Sequence, residues 1–314
     1  MYYFGHVVNA GKGSPSGGIY FDFSRFTDEQ IDEMFEAVMD HFDGFYKHGY
    51  YHGESIIDFR DLAKKKRRVE VGLTSEYSVG GIFVDENMFT GVPGLYAAGE
   101  AASGVFGANR VADAVTEMLV QGYKAGEVAA ARASEQTRVV SDDAAIERAV
   151  GVLEKLLSNQ GGIAVSEAID RLGEISDNAL GMVRNETTLR AGVEAFETLG
   201  AEMDGISLRG KSLRYNRELM QALAARNLLA CSRVAAKMAL ERRESRGLHL
   251  RDDYSYIDNE NWQVRQLAEL VNGEDKLSKK VPVVTRIPLR KAEKIDYESF
   301  ILEEDLGMKN MEES

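Results

Sequence analysis

Cysteine is nearly absent. Cys231 stands alone in 314 residues, so the chain can close no internal disulfide and can build no all-cysteine iron–sulfur or zinc site from its own side chains. Its setting, Leu228-Leu229-Ala230-Cys231, reads as a buried thiol on a helix, and such sparse cysteine points to a cytoplasmic chain. Basic residues are in deficit: 38 Lys and Arg against 51 Asp and Glu leave a formal charge of -13, which argues against neutralising nucleic-acid phosphates. No stretch approaches the roughly 18 apolar residues that span a bilayer, so membrane contact would have to come through another polypeptide. No Gly-x-Gly-x-x-Gly turn occurs either. The early cluster Gly11-Lys-Gly-Ser-Pro-Ser-Gly-Gly18 has the wrong spacing for one and no amphipathic helix behind it, and it reads as a loop. His41, His48 and His52 lie close in sequence, but no carboxylate-rich surround accompanies them, so no metal site is expected.

What the chain does contain falls into segments of different period. Tyr2, Tyr3, Phe4, Val7 and Val8 form an apolar start that wants a partner strand, and Gly18 to Phe23 alternates as a strand should. Thr27 and Gln30 have capping-box spacing ahead of Ile31, Met34, Phe35, Val38, Phe42 and Phe45, which follow one helical face. The basic run Lys64 to Arg68 reads as a solvated loop. Strand-like VEVGL and GGIFVD flank Thr74-Ser-Glu-Tyr-Ser78. After Gln136 the pattern is helical throughout. Ser141 can cap a helix carrying Ile146, Val150, Leu153 and Leu157 and closed by Gly161-Gly162. Further helices carry Ile169, Leu172 and Ile175, then Leu189, Val193, Phe196 and Leu199, and the longest runs from about Arg217 to Arg243. A bundle is the expected result. The segment after Gly273 has mixed charge and two of the four prolines, and is expected to lie extended on another surface.

The stretch from Gly80 to Ala129 reads as one connected device. A glycine pair opens a strand, Val92-Pro-Gly turns into Leu95-Tyr-Ala-Ala98, and Gly99-Glu100 ends that run before a glycine-rich loop enters a long helix at about Val111. Glycines at 99, 104 and 107 let backbone N–H groups approach a ligand closely, and the helix N-terminus adds the positive end of its dipole.

With its GLYAAGEAA and GANR sequences, this block resembles the last flavin-domain segment of the fumarate reductase and succinate dehydrogenase flavoprotein family, which includes L-aspartate oxidase. A second match, in the expected order, is Glu244-Ser-Arg-Gly-Leu-His-Leu-Arg-Asp-Asp-Tyr254, followed by Asp258 and Trp262. The resemblance implies an α/β plus all-α chain in which partial FAD-domain and capping-domain elements precede a C-terminal helical bundle. Its divisions would be the end of a capping-type domain at 1–72, the last FAD-domain segment at 73–136, the bundle at 137–270 and an extended tail at 271–314. It further implies FAD as the cofactor, held in a site that this chain completes only with a second polypeptide carrying the N-terminal dinucleotide-binding half. The implied partners are completed by a small-molecule substrate and an iron–sulfur electron-transfer subunit. A natural subunit, a split-gene product and a truncated chain are all compatible with such a reading.

Specific residues carry the implied site. Arg110 matches the family position that binds a substrate carboxylate beside the flavin, a task suited to a planar, permanently charged fork. The competing reading is an arginine that salt-bridges the adjacent helix. Glu100 matches the glutamate that accepts a hydrogen bond from a ribityl hydroxyl, and Tyr77, Ser78, Ala114 and Val115 would complete the cofactor contacts. Three departures stand out. Glu76 replaces a histidine of the family, which would repel a dicarboxylate and could instead act as a base. Phe106 replaces the histidine of HGANR. The turn after Arg110 is one residue shorter, rebuilt as Ala112-Asp-Ala-Val115. Among the residues of the second motif, Arg246, Arg251, Asp252 and Asp253 read as structural ion pairs. The expected activity is therefore transfer of hydride or electrons between flavin and a small organic acid, shared with the partner. The alternatives are a non-catalytic structural subunit that keeps the fold, or an oxidase of the L-aspartate type.

Overall fold

A computed structural model describes residues 2–39, 50–52, 55–57, 59–72, 77–103, 114–135 and 142–280. Two units emerge, residues 1–76 and residues 77–314. In the first, α1 (Tyr2–Asn9) precedes β1 (Ile19–Asp22), α2 (Asp28–Met39), the short hairpin of β2 (Tyr50–His52) and β3 (Ser55–Ile57), α3 (Phe59–Lys66) and β4 (Arg68–Val71). β1 and β4 pair antiparallel, from Ile19 opposite Val71 to Asp22 opposite Arg68. Their inner face meets α2 and α3 in a core of Phe23, Ile31, Ala63 and Val69, edged by Phe35 and Phe59.

Local chemistry explains where these elements lie. Thr27 and Gln30 form the capping box: the Thr27 N–H donates to Gln30 Oε1 at 2.9 Å and the Gln30 N–H donates to Thr27 Oγ1 at 3.2 Å. Phe42 and Phe45 fall outside the described residues. The apolar start is a helix rather than a strand, because Phe4, Val7 and Val8 share the i, i+3, i+4 spacing of one helical face. Lys64, Lys65 and Lys66 are also helical rather than in a loop. Phe59, Leu62 and Ala63 give α3 an apolar face, and the lysines occupy its last turn, where cations suit the helix dipole. Arg67 ends the helix at φ +59° and donates to the Phe26 carbonyl at 3.0 Å.

In the second unit, residues 77–103 are largely irregular, α4 spans Ala114–Glu135, and α5 (Asp143–Ser158), α6 (Val165–Leu180), α7 (Glu186–Met203) and α8 (Arg217–Glu241) are the bundle helices. The segments GIFVD and LYAA, expected as strands, make only isolated bridges, Ile82 with Ala102 and Phe89 with Tyr96. Turns interrupt them. Asp85 Oδ1 accepts from the N–H groups of Asn87 and Phe89, both at 2.9 Å, and Met88 sits at φ +61°.

α6, α7 and α8 pack around Leu172, Phe196, Leu199, Met203, Leu219 and Ala225. The side chain of Asp142 caps α5 by accepting from the Ala145 N–H at 3.1 Å, while Ser141 lies outside the described residues. Only the last turns of α5 reach this core, through Leu153, Leu156 and Leu157; Ile146 and Val150, expected on the buried face, are exposed. Cys231 is exposed too, contrary to expectation. Leu229, Ser232 and Ala236 turn the core face of α8 elsewhere. α7 packs tightly on α6 at Gly192, where an added Cβ would lie 2.2 Å from Ala179 Cβ. Gly192→Ala is therefore expected to destabilise the chain by roughly 1–3 kcal/mol in urea unfolding, despite alanine's better helix propensity, because overpacking outweighs it.

Beyond α8 the chain returns to the bundle. β5 (Val183–Arg184) runs parallel to β6 (Leu250–Arg251), α9 (Asn259–Trp262) is capped by Asp258, and β7 (Arg265–Val271) pairs antiparallel with β8 (Glu274–Lys280). Residues 274–280 are extended as expected, but as one arm of a hairpin. Asn272 and Gly273 both take positive φ, the Asn-Gly signature of a two-residue turn. Asp275 anchors this hairpin to α8 through Arg233 at 3.0 Å and Lys237 at 3.1 Å. Residues 281–314 lie outside the described set.

The second motif folds into a buried ionic knot. Glu244, fully buried, accepts from Arg242 Nη1 at 2.5 Å, Arg246 Nε at 2.8 Å, Arg246 Nη2 at 2.9 Å and the Asp258 N–H at 2.9 Å. Arg251, also buried, binds Asp253 through two 2.6 Å bonds and donates to the Ala239 carbonyl at 2.8 Å, at the end of α8. The structural ion pairs expected for Arg246, Arg251 and Asp253 are thus present. Asp252 instead accepts from Asn185 Nδ2 at 3.5 Å. His249 sits among these cations. Its Nε2 is 3.3 Å from the Arg242 carbonyl and its Nδ1 3.1 Å from Arg184 Nη1, so Nε2 carries the proton and Nδ1 accepts. Burial, then the charge of Arg184, lowers its pKa from 6.5 to about 4.

Candidate functional site

The glycine-rich device rests on a small core of Val84, Ala97 and Ala102 with Met88 against it. Over this core the segment from Tyr77 runs beside a 3-10 turn, Gly99–Ala101. The Ile82 N–H donates to the Ala101 carbonyl and the Ser103 N–H to the Ile82 carbonyl, each at 2.8 Å. This contact is tight. A Cβ on Gly81, at φ +156°, would lie 2.5 Å from the Ala101 oxygen, so only glycine fits.

Five of the six residues singled out for cofactor contact are described. The Ser78 N–H donates to Glu100 Oε1 at 2.7 Å, which fixes the carboxylate at the surface and leaves Oε2 with acceptor capacity for a ligand hydroxyl. Tyr77 is half-buried, and its hydroxyl donates to Glu117 Oε2 at 3.4 Å. Ala114, buried, and Val115, exposed, open α4, so their backbone N–H groups belong to the first turn, whose donors have no partner within the helix. The sixth, Arg110, and Glu76, singled out for catalysis, lie outside the described residues. The structure thus brings Ser78 to Glu100 and places Tyr77 against α4.

Two residues that sequence reasoning passed over hold this arrangement. Gln121 accepts from the Gly99 N–H at 2.7 Å through Oε1 and donates through Nε2 to Glu117 Oε1 at 3.1 Å. Both are buried. α4 is consequently inverted: it buries Ala114, Glu117 and Gln121, while Val115, Leu119 and Tyr123 are 62%, 70% and 77% exposed. The signal was available as a polar i, i+4 pair in step with Ala114. Among the described residues no group of His, Cys, Asp and Glu could hold a metal ion, and no helix is long and apolar enough to cross a membrane.

Residues 5–113 match the model of an FAD binding domain, and residues 169–297 match that of the fumarate reductase flavoprotein C-terminal region. The fumarate reductase flavoprotein subunit of Haemophilus influenzae is 34% identical over 196 residues, covering 61% of this chain and 33% of that protein. The 8-methylmenaquinol:fumarate reductase flavoprotein subunit of Wolinella succinogenes is 30% identical over 240 residues, covering 74% and 39%. Among solved structures, Mycobacterium smegmatis Sdh1 in complex with UQ1 superposes with a TM-score of 0.75 at 29% identity, over 87% of this chain and 45% of that one. A variant of Escherichia coli quinol fumarate reductase FrdA gives 0.72 at 26% identity, over 92% and 49%. The chain thus spans about a third to a half of the length of these relatives. FAD is the cofactor of the matched domain, and the exposed carboxylate of Glu100, with one oxygen held by the Ser78 N–H, has acceptor capacity for a ligand hydroxyl. The chain belongs to the fumarate reductase and succinate dehydrogenase flavoprotein family, with the family's C-terminal region joined to FAD-binding-domain sequence.

Proposed function

We propose that this chain is the C-terminal part of a fumarate reductase-like FAD oxidoreductase, working in the cytoplasm with a polypeptide that supplies the dinucleotide-binding half. The carrying observation is the turn at Gly99-Glu100, whose carboxylate is held by the Ser78 N–H with one oxygen left to accept. FAD, when bound, supplies the acceptor or donor for hydride. The chain's own residues do the rest. Glu100 accepts from a ribityl hydroxyl, the first-turn N–H groups of Ala114 and Val115 meet the polar edge of the flavin, and Arg110 pairs with a carboxylate of a small organic acid and withdraws charge from it. Glu76 selects against a second acidic group, or takes up a proton from the substrate. The division into a capping-type end at 1–72, a flavin segment at 73–136, a bundle at 137–270 and a tail at 271–314 belongs to this reading. So does an iron–sulfur protein as electron partner.

The outer face of α4 supports the partner. Val115, Leu119 and Tyr123 recur every four residues on one side and cover nothing in the described structure, an apolar stripe suited to burial against more of the flavin domain. The test is native mass spectrometry with a visible spectrum of the protein purified gently from its source. A flavin band together with a second polypeptide is the expected result. A colourless chain without a partner would instead favour the non-catalytic structural role, which the Glu76 and Phe106 departures already suggest.

A further inference from the structure

We propose that Gln121 and Glu117 are positioning residues for the cofactor-contacting turn, an inference that rests on the reading of Glu100 as a flavin contact. Six residues close a ring. Tyr77 donates to Glu117, Gln121 donates to Glu117 and accepts from Gly99, and Glu100, next in chain, accepts from Ser78, which adjoins Tyr77. The chemistry of the ring is directional. The Glu117 carboxylate oxygen accepts from the NH2 of Gln121, holds it toward itself and thereby turns the Gln121 oxygen toward the Gly99 N–H. Gly99 begins the 3-10 turn at φ +68°, with Met118 Cγ 3.0 Å from where a Cβ would stand. Its N–H is therefore fixed by a side chain from α4 rather than by a strand ladder. The location of the Glu100 carboxylate follows from two bonds: the amide of the preceding residue, Gly99, is held by Gln121, and its own Oε1 is held by Ser78.

The inversion of α4 supports a role beyond packing. An ordinary amphipathic helix would turn Leu119 and Val115 inward, whereas burying an amide and a carboxylate is favourable only when each finds partners. Here the partners are the two segments that flank Glu100.

Three variants of the chain in its natural complex test this: Gln121→Leu, Gln121→Glu, and the swap Glu117→Gln with Gln121→Glu. The readouts are the FAD dissociation constant, the visible circular dichroism of bound flavin, and hydrogen exchange of a peptide spanning residues 97–103. Loss of one buried partner predicts FAD binding weakened about tenfold in each single variant, with an altered flavin signature and faster exchange. The swap restores acceptor to Gly99 and donor across the pair, so it is expected within about twofold of wild type. Flavin affinity and spectrum unchanged in both single variants would overturn the inference while leaving Glu100 as a contact. A swap no better than Gln121→Glu would overturn it as well. A flavin-free wild-type complex would remove the underlying reading and the inference together.

Discussion

Glu244→Leu is expected to lower the unfolding free energy of the chain by about 3–5 kcal/mol, the range for removing one member of a buried ionic cluster. Leucine fills nearly the same volume, so a cavity contributes little. The loss comes from four donors left without their acceptor, three of them on the guanidinium groups of Arg242 and Arg246, and the fourth the Asp258 N–H. Arg242 also holds the carbonyls of Trp262 and Val264 at 3.0 and 2.8 Å, so its displacement would release the entry to β7. Thermal melting followed by circular dichroism should show a midpoint lower by roughly 10 °C. A drop worth less than about 1 kcal/mol would mean that the arginines find water or other carbonyls without cost.

Stability should also fall between pH 6.5 and about 4 because of His249. In the unfolded chain this imidazole takes up a proton near 6.5, whereas in the fold it resists protonation down to about 4. Below 6.5 the unfolded state therefore binds more protons, and the neutral histidine's contribution, fully present above 6.5, is lost as pH falls to the folded value. Linkage across that interval gives an upper limit of about 3 kcal/mol, of which about 2 should be gone by pH 5. Asp253 and Asp275 also titrate below their ordinary range, through Arg251 in one case and Lys237 with Arg233 in the other, although burial opposes each. Their losses begin near the unfolded carboxylate value of about 4, so the upper window belongs to the histidine. His249→Gln keeps an acceptor for Arg184 and a donor for the Arg242 carbonyl. Urea unfolding at several pH values should show this variant nearly flat between 6.5 and 5, and a slope equal to wild type would refute the assignment.

The portions of the fold that could be read from the sequence are those governed by neighbours a few residues apart. The Thr27–Gln30 box, the apolar faces of α6 and α7 and the extent of α8 all depend on i to i+4 relations. α5 shows the limit. Its apolar residues follow the helical period, but how far along the bundle core reaches decides that Leu156 is buried and Ile146 is not. In the GIFVD stretch, β-branched composition yields to the Asp85 turn, a side-chain bond that competes with any ladder. Within the candidate site, Ser78 and Glu100 are singled out through motif resemblance, while the burial of Gln121 shows in the sequence only as a polar i, i+4 pair with Glu117 and its bond to Gly99, 22 residues away, does not show at all.

Arg251 fixes an order of assembly. The last carbonyls of α8 are completed by a guanidinium ten residues beyond the end of the helix at Glu241, with Asp253 clamping that guanidinium in turn. During synthesis the helix can emerge and pack its earlier turns, but its final turn stays open until residues 251–253 follow. Chains released before that point would carry a fraying end where the hairpin should dock.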